Sequence, residues 1–280
     1  MRFGDSPESD NFEDRTGQSG GGGLNLGGGL GMILPLVASR FGIVGVLILV
    51  LGYCALTQLG GGGGIVGGSS ESGPSKLDPA TGRFMRQVLG STEQVWGQIF
   101  TQAGAKYTPT RLVAYTDYNQ SGCGAAQAAM GPFYCPTDKQ IYIDPAFFEE
   151  LSRRFQAPGD FAQAYVIAHE VGHHIQDLEG TLDKAQSAQA RIGKAEGNAV
   201  QVGVELQADC YAGVWANRSG ALEQGDMEEG MRAAEAIGDD MLTKGQVSPD
   251  NFTHGTSAQR MEALRNGLSS GNPSTCNYAK

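Results

Sequence analysis

His169, Glu170 and His173 stand in the run His169-Glu170-Val171-Gly172-His173, whose residue types and spacing could build a metal-dependent hydrolytic centre. Histidines four residues apart share one helix face, so both imidazoles can reach one metal ion. The carboxylate between them can take a proton from water at that ion's open position. A lone histidine is most often a satisfied core residue. Two at this spacing, with the glutamate between them, read as two ligands and a base. A catalytic zinc site takes three protein ligands and leaves one position open. A third ligand must therefore come from elsewhere.

Glu179 could serve only if the chain bent back behind the second histidine, which needs a glycine three residues on, and Gln176 stands there. The segment Val204–Cys210 offers a better candidate. Glu205 and Asp209 are four apart and share a face, so Glu205 can bind metal while Asp209 hydrogen-bonds the second nitrogen of a ligand histidine and fixes its tautomer. Val204, Leu206, Ala208, Cys210 and Val214 make this stretch too apolar for a solvated acidic face. Cys210 lies about 140° around the helix from Glu205, away from the metal. His174, about 100° from His173, is a packing or supporting residue. His254, just before a helix start, is either an ordinary loop residue or a donor to the oxyanion that develops during attack on a carbonyl.

The elements that must position these groups are marked by pattern. Pro158-Gly159 breaks the chain, Asp160 and Gln163 form a capping box, and Gly180 closes a helix. Phe161, Ala164, Ala168, Val171, Ile175 and Leu178 recur near the helical period within it. Further helices are predicted from Ser91 to about Gly104, over Asn198–Asn217, over Asp226–Thr243 with Asp226 and Glu229 as its box, and from Thr256 or Ser257 to Gly267–Gly271. Strand character falls on Arg111–Thr116 and Gln140–Asp144, with Phe133–Cys135 paired to the latter across a turn at Pro136–Lys139. A helix, a few strands, then helices suit an α+β domain, mostly helical with a small sheet.

The 280 residues divide unevenly. Residues 1–31 are polar, acidic and glycine-rich and are expected to be a disordered tail. Residues 32–59 form an anchor region, because Phe41–Leu59 carries no charge and approaches the roughly 20 residues of a transmembrane helix. Residues 60–75 read as a Gly/Ser linker, and residues 76–280 as the globular domain. Arg40 abuts the N-terminal end of the span, which favours a cytoplasmic N terminus and an extracytoplasmic domain, periplasmic or extracellular. Four cysteines outside the span allow three pairings, and Cys123–Cys135 with Cys210–Cys276 are expected in an oxidising compartment. A net charge of −10 and no basic stripe argue against nucleic acid as a partner.

The chain resembles the bacterial membrane-anchored neutral zinc metallopeptidases from Glu8–Arg15 to its C terminus. The likeness rests on Ser121–Gly124, Gly131–Pro136, Phe161–His174, Glu205–Trp215, Ala236–Asp240 and Thr253–Arg260. It implies a zincin-like metallopeptidase fold preceded by one transmembrane helix, a zinc ion (Zn2+) and a peptide or protein substrate. The Glu205–Asp209 and Thr253–Gly255 segments are similar to those of membrane-associated gluzincins. That likeness implies Glu205 as third ligand, Asp209 as its support and His254 near the site. By analogy with zincins the substrate lies extended along a sheet edge near Gly131–Tyr134. Two rival readings remain: a membrane-tethered binding or scaffold module that retains zinc, and a zinc amidase acting on a non-protein amide. A closed structural site would need a fourth protein ligand, and Glu170, beside His169, is badly placed to be one.

Overall fold

The computed structural model describes residues 1–4, 6–18 and 73–279. The apolar span 41–59, most of the expected linker and the later part of the expected tail lie outside the described residues. Among those described, no helix is long and apolar enough to cross a membrane.

Four strands form one sheet in the order β1 (Phe12–Asp14), β2 (Arg111–Ala114), β6 (Gln140–Ile143), β5 (Phe133–Cys135). β1 and β6 run parallel to β2, and β5 runs antiparallel to β6 with Cys135 opposite Gln140. The two central strands are the most apolar, as strands buried on both faces must be. A hairpin of β3 (Tyr118–Ser121) and β4 (Gly124–Gln127) stands apart and is tied to β5 by the Cys123–Cys135 disulfide.

The expected disordered tail is corrected at its start. Residues 11–15 extend the sheet through β1, and Met1 and Phe3 join the core. The reason is local satisfaction of polar groups: Glu8 pairs with Arg83 and Arg86, and Ser9 and Asn11 donate to Glu93. The folded unit therefore combines Met1–Gln18 with the chain from residue 72 onward.

The helices are α1 (Pro79–Gln102), α2 (Ala146–Arg153), α3 (Asp160–Leu178), α4 (Thr181–Gln189), α5 (Lys194–Ser219), α6 (Asp226–Ala236), α7 (Asp239–Leu242) and α8 (Ser257–Ser270). α1 starts 12 residues before the expected start at Ser91, with Asp78 as its cap and proline in its first turn. Ser91 is mid-helix, accepting a hydrogen bond from the indole of Trp215. Gly90 beside it leaves room for the backbone of residues 7–9, where a Cβ would stand 2.7 Å from the Pro7 carbonyl.

α3 is buried on nearly every side and forms the centre of the molecule. Its expected capping box is replaced: the amide of Phe161 donates to Glu229 on α6, while Asp160 turns to the chain's amino terminus. The long helix expected over Asp226–Thr243 breaks at Gly238, whose backbone lies against Ser257 at the head of α8. α8 itself opens on a full capping box of Thr256 and Gln259. The second expected disulfide, Cys210–Cys276, pins the C-terminal segment to α5.

Candidate metal centre

α3 and α5 bring the ligating groups together because their backbones approach closely at one point. A Cβ on Gly172 would lie 3.0 Å from Cα of Ala208, so any larger residue would press the helices apart by a few tenths of an ångström there. The candidate ligands His169 and His173 on α3 and Glu205 on α5 flank that crossing, with Asp209 one turn beyond Glu205.

The geometry is convergent. Oε2 of Glu205 lies 3.2 Å from Nε2 of His169 and 3.7 Å from Nε2 of His173. The rings are nearly perpendicular, with centroids 4.7 Å apart, so their nitrogens face one point from different directions. Bonds of about 2.0–2.1 Å set tetrahedrally would separate ligand atoms by roughly 3.3 Å. The observed spacing fits a small tetrahedral cation such as zinc, and so does a donor set of two imidazoles and one carboxylate.

Each of the three candidate ligands is held from behind. Nδ1 of His169 lies 2.8 Å from Oδ1 of Asp209, which directs Nε2 to the centre. Asp209 also accepts from Arg260 Nε at 2.9 Å, from Arg260 Nη2 at 2.8 Å and from the Tyr165 hydroxyl at 2.6 Å. Nδ1 of His173 lies 2.9 Å from Oε1 of Gln176, whose amide nitrogen donates to the Val204 carbonyl and to Gln207. Gln201 donates to the other oxygen of Glu205 at 3.0 Å. Arg260, Tyr165, Gln176 and Gln201 had no assigned role in the sequence reading.

Electrostatics follow from burial and these contacts. Burial opposes charge on His169, yet Asp209 and Glu205 push its pKa up to about 10. His173 rises too, against burial, through Glu205. Burial would raise Glu205, but the two imidazoles hold it well below the usual carboxylate range. Asp209 is lowered against burial by Arg260, then His169. Glu170 is the exception: burial dominates and its pKa is raised, although both histidines and the backbone amide of Tyr134 oppose this. A carboxyl with a raised pKa is suited to receiving a proton near neutrality.

Glu170 is buried beside the ligands and lines a cleft of about 700 Å³. One wall is formed by Gly131 and Pro132 with Phe133 and Tyr134 of β5, an edge strand, and α4 contributes Leu182 and Gln186. His254 also lines it. Its loop is wrapped around Asp239, whose Oδ2 accepts the backbone N–H groups of Thr253, His254 and Gly255 at 2.7, 2.6 and 3.1 Å. Nδ1 of His254 lies 3.2 Å from Oδ1 of the same carboxylate.

The remaining candidates fall away from the centre. His174 is buried between the Thr108 carbonyl, 2.7 Å from Nε2, and the Tyr134 hydroxyl, 3.1 Å from Nδ1, so it braces β5. Glu179 accepts from Tyr211, and Cys210 is in its disulfide. Among the described residues a second group of three potential ligands, Asp160, Asp226 and Glu229, lies at the other end of α3.

A family model described as "Putative neutral zinc metallopeptidase" matches residues 1–279. The uncharacterized protein YpfJ of Escherichia coli (strain K12) is 44% identical over 286 residues, covering 99% of this chain and 98% of its own. The uncharacterized protein Rv2575 of Mycobacterium tuberculosis (strain H37Rv) is 38% identical over 204 residues, 66% of each chain. No solved structure matches the chain.

Proposed function

The chain belongs to the neutral zinc metallopeptidase family, and on that premise we propose that it is a zinc-dependent endopeptidase with Glu170 as general base. The observation that carries this reading is the convergence of His169, His173 and Glu205 beside a carboxyl that lines an open cleft. Three protein ligands would leave a tetrahedral cation one open position, which favours catalysis over a closed structural site.

His169, His173 and Glu205 would hold the metal, with Asp209 and Gln176 fixing the two rings. Bound zinc supplies a Lewis acid that lowers the pKa of water toward about 7 and polarises a carbonyl. Glu170, buried beside His169 and lining the cleft, takes the proton from the attacking water and delivers it to the leaving nitrogen. His254, oriented by Asp239, donates to the developing oxyanion. An extended substrate runs along β5, which has no neighbour on its outer side among the described residues and lends Phe133 and Tyr134 to the cleft wall. Phe41–Leu59 attaches the chain to a membrane, and the two disulfides suit a body outside the cytoplasm.

The test is hydrolysis of a mixed quenched-fluorescent peptide library by zinc-loaded protein, beside Glu170→Gln. Cleavage that disappears in the variant and with chelator supports the reading. Full zinc occupancy without cleavage by either protein would sink it.

A further inference from the structure

The apolar stretch Phe41–Leu59 lies between two segments that the fold joins. β1 pairs in parallel register with β2, Phe12 opposite Leu112 and Asp14 opposite Ala114. The ladder continues on both sides, with the Leu112 amide donating to the Asn11 carbonyl at 2.9 Å and the Arg15 amide to the Ala114 carbonyl at 2.7 Å. The last described residues before the stretch and the first after it are themselves bonded. The Gly73 amide donates to the Gly17 carbonyl at 2.9 Å, the Lys76 amide to the Thr16 hydroxyl at 3.0 Å, and Ser75 to Asp14. At the far end of the segment, the Met1 ammonium lies 2.6 Å from Asp160 and 3.2 Å from Asp226.

A single membrane crossing would put residues 1–18 on one side and residues 73–279 on the other. Every bond just named would then be impossible. We infer that Met1–Gln18 and the folded body that carries the metal centre lie on one side, the outer face, of the membrane that Phe41–Leu59 enters. The number of crossings between them is even. Residues 19–72 are long enough for two, at about 20 residues each. Their charge pattern agrees: Arg40 is the one basic residue between Arg15 and Lys76, and it stands near the middle of the stretch, between Met32–Ala38 and Phe41–Leu59. The preference of basic residues for the cytoplasm draws that middle inward and leaves both flanks outside. The outer side is also where two disulfides persist. This replaces the arrangement expected from the sequence, with a cytoplasmic N terminus and an extracytoplasmic body, and it does not depend on the peptidase reading.

The test uses the full chain expressed in Escherichia coli with Cys54→Ala as background and single added cysteines at two exposed positions, Asp10→Cys and Arg153→Cys. Spheroplasts are treated with a membrane-impermeant maleimide before and after lysis. Both cysteines are expected to label fully before lysis. Labelling of Arg153→Cys alone before lysis restores the single crossing and overturns the inference, as does shielding of both until lysis. A second variant, Glu8→Cys with Arg83→Cys, asks whether the N-terminal segment is docked in the membrane. The two residues form a surface ion pair at 3.5 Å, and such pairs contribute little to stability. A short bismaleimide should link them and change the gel mobility of the membrane-bound chain. Failure to link in membranes, with linking after detergent extraction, also overturns the inference.

Discussion

Helix α3 contributes to two groups of three potential ligands, one at its N-terminal end and one from its middle onward, and the two groups differ in what neutralises them. At the N-terminal end, Asp160, Asp226 and Glu229 gather three carboxylates. The chain fills that cluster itself: the Met1 ammonium pairs with Asp160 and Asp226, and Glu229 accepts the Phe161 amide. In the other group, His169, His173 and Glu205 face one another, with their outer atoms taken by Asp209, Gln176 and Gln201. Counting potential ligands would not separate the two, since each group has three. What separates them is whether the chain supplies its own cation, and whether each donor is braced from behind so that its free lone pair points inward.

The sharpest way to break this comparison is Glu170→Gln. It is expected to lower kcat by about 10²–10⁴, the usual contribution of a general base, while zinc content measured by elemental analysis stays at that of the wild type. Loss of zinc together with activity would move Glu170 into the ligand set and leave the cluster without a separate base.

His254→Ala follows. Removing a donor to the oxyanion lowers kcat by roughly 10²–10³ with KM little changed. An unchanged kcat would make His254 a loop residue that Asp239 merely holds in place.

How far these parts were legible differs along the chain. The pair on α3 and the four-residue step from Glu205 to Asp209 could be read because helical periodicity converts spacing directly into a shared face. Gln176 was read only as the missing glycine, since nothing local says that its amide will turn back to His173. Arg260 was quoted without a role. The available signal was its place on the same helical stripe as Ala263, Leu264 and Leu268, where a buried cation requires a buried acid. β1 escaped notice because three residues, Phe12-Glu13-Asp14, show no alternation. Their contribution is made by backbone, and its partner lies about a hundred residues away. The disorder expected for residues 1–31 failed over 1–18 for the same reason: composition records polarity and is silent on whether each polar group finds a specific partner.

The brace behind His169 supplies the third test. Arg260→Met would leave Asp209 a fully buried carboxylate without its strongest cation. Breaking such a pair costs about 3–5 kcal/mol, and loss of an outer partner weakens metal binding by about 10- to 100-fold. Zinc affinity by competition with a chromophoric chelator, alongside thermal unfolding, reads both effects. The double substitution Arg260→Met with Asp209→Leu should recover much of the stability without recovering affinity. Recovery of both would mean that the pair serves packing alone.

The smallest effect belongs to the other end of α3. The Met1 ammonium is shifted upward: burial opposes its charge, but hydrogen bonds and charge from Asp160 and then Asp226 outweigh it. A cationic group whose folded pKa exceeds its unfolded value, near 7.7–8.0, stabilises the fold fully below that value and loses the contribution as pH rises through the folded one. Asp226→Asn removes one of the two carboxylates nearest the ammonium. The variant should melt a few degrees below wild type at pH 7, and the gap should narrow as pH climbs past 8. Zinc affinity and kcat should stay unchanged throughout, because the two clusters sit on one helix and share no side chain. A gap that stays constant with pH would mean that Asp226 acts through the Glu223 amide it accepts rather than through the amino terminus.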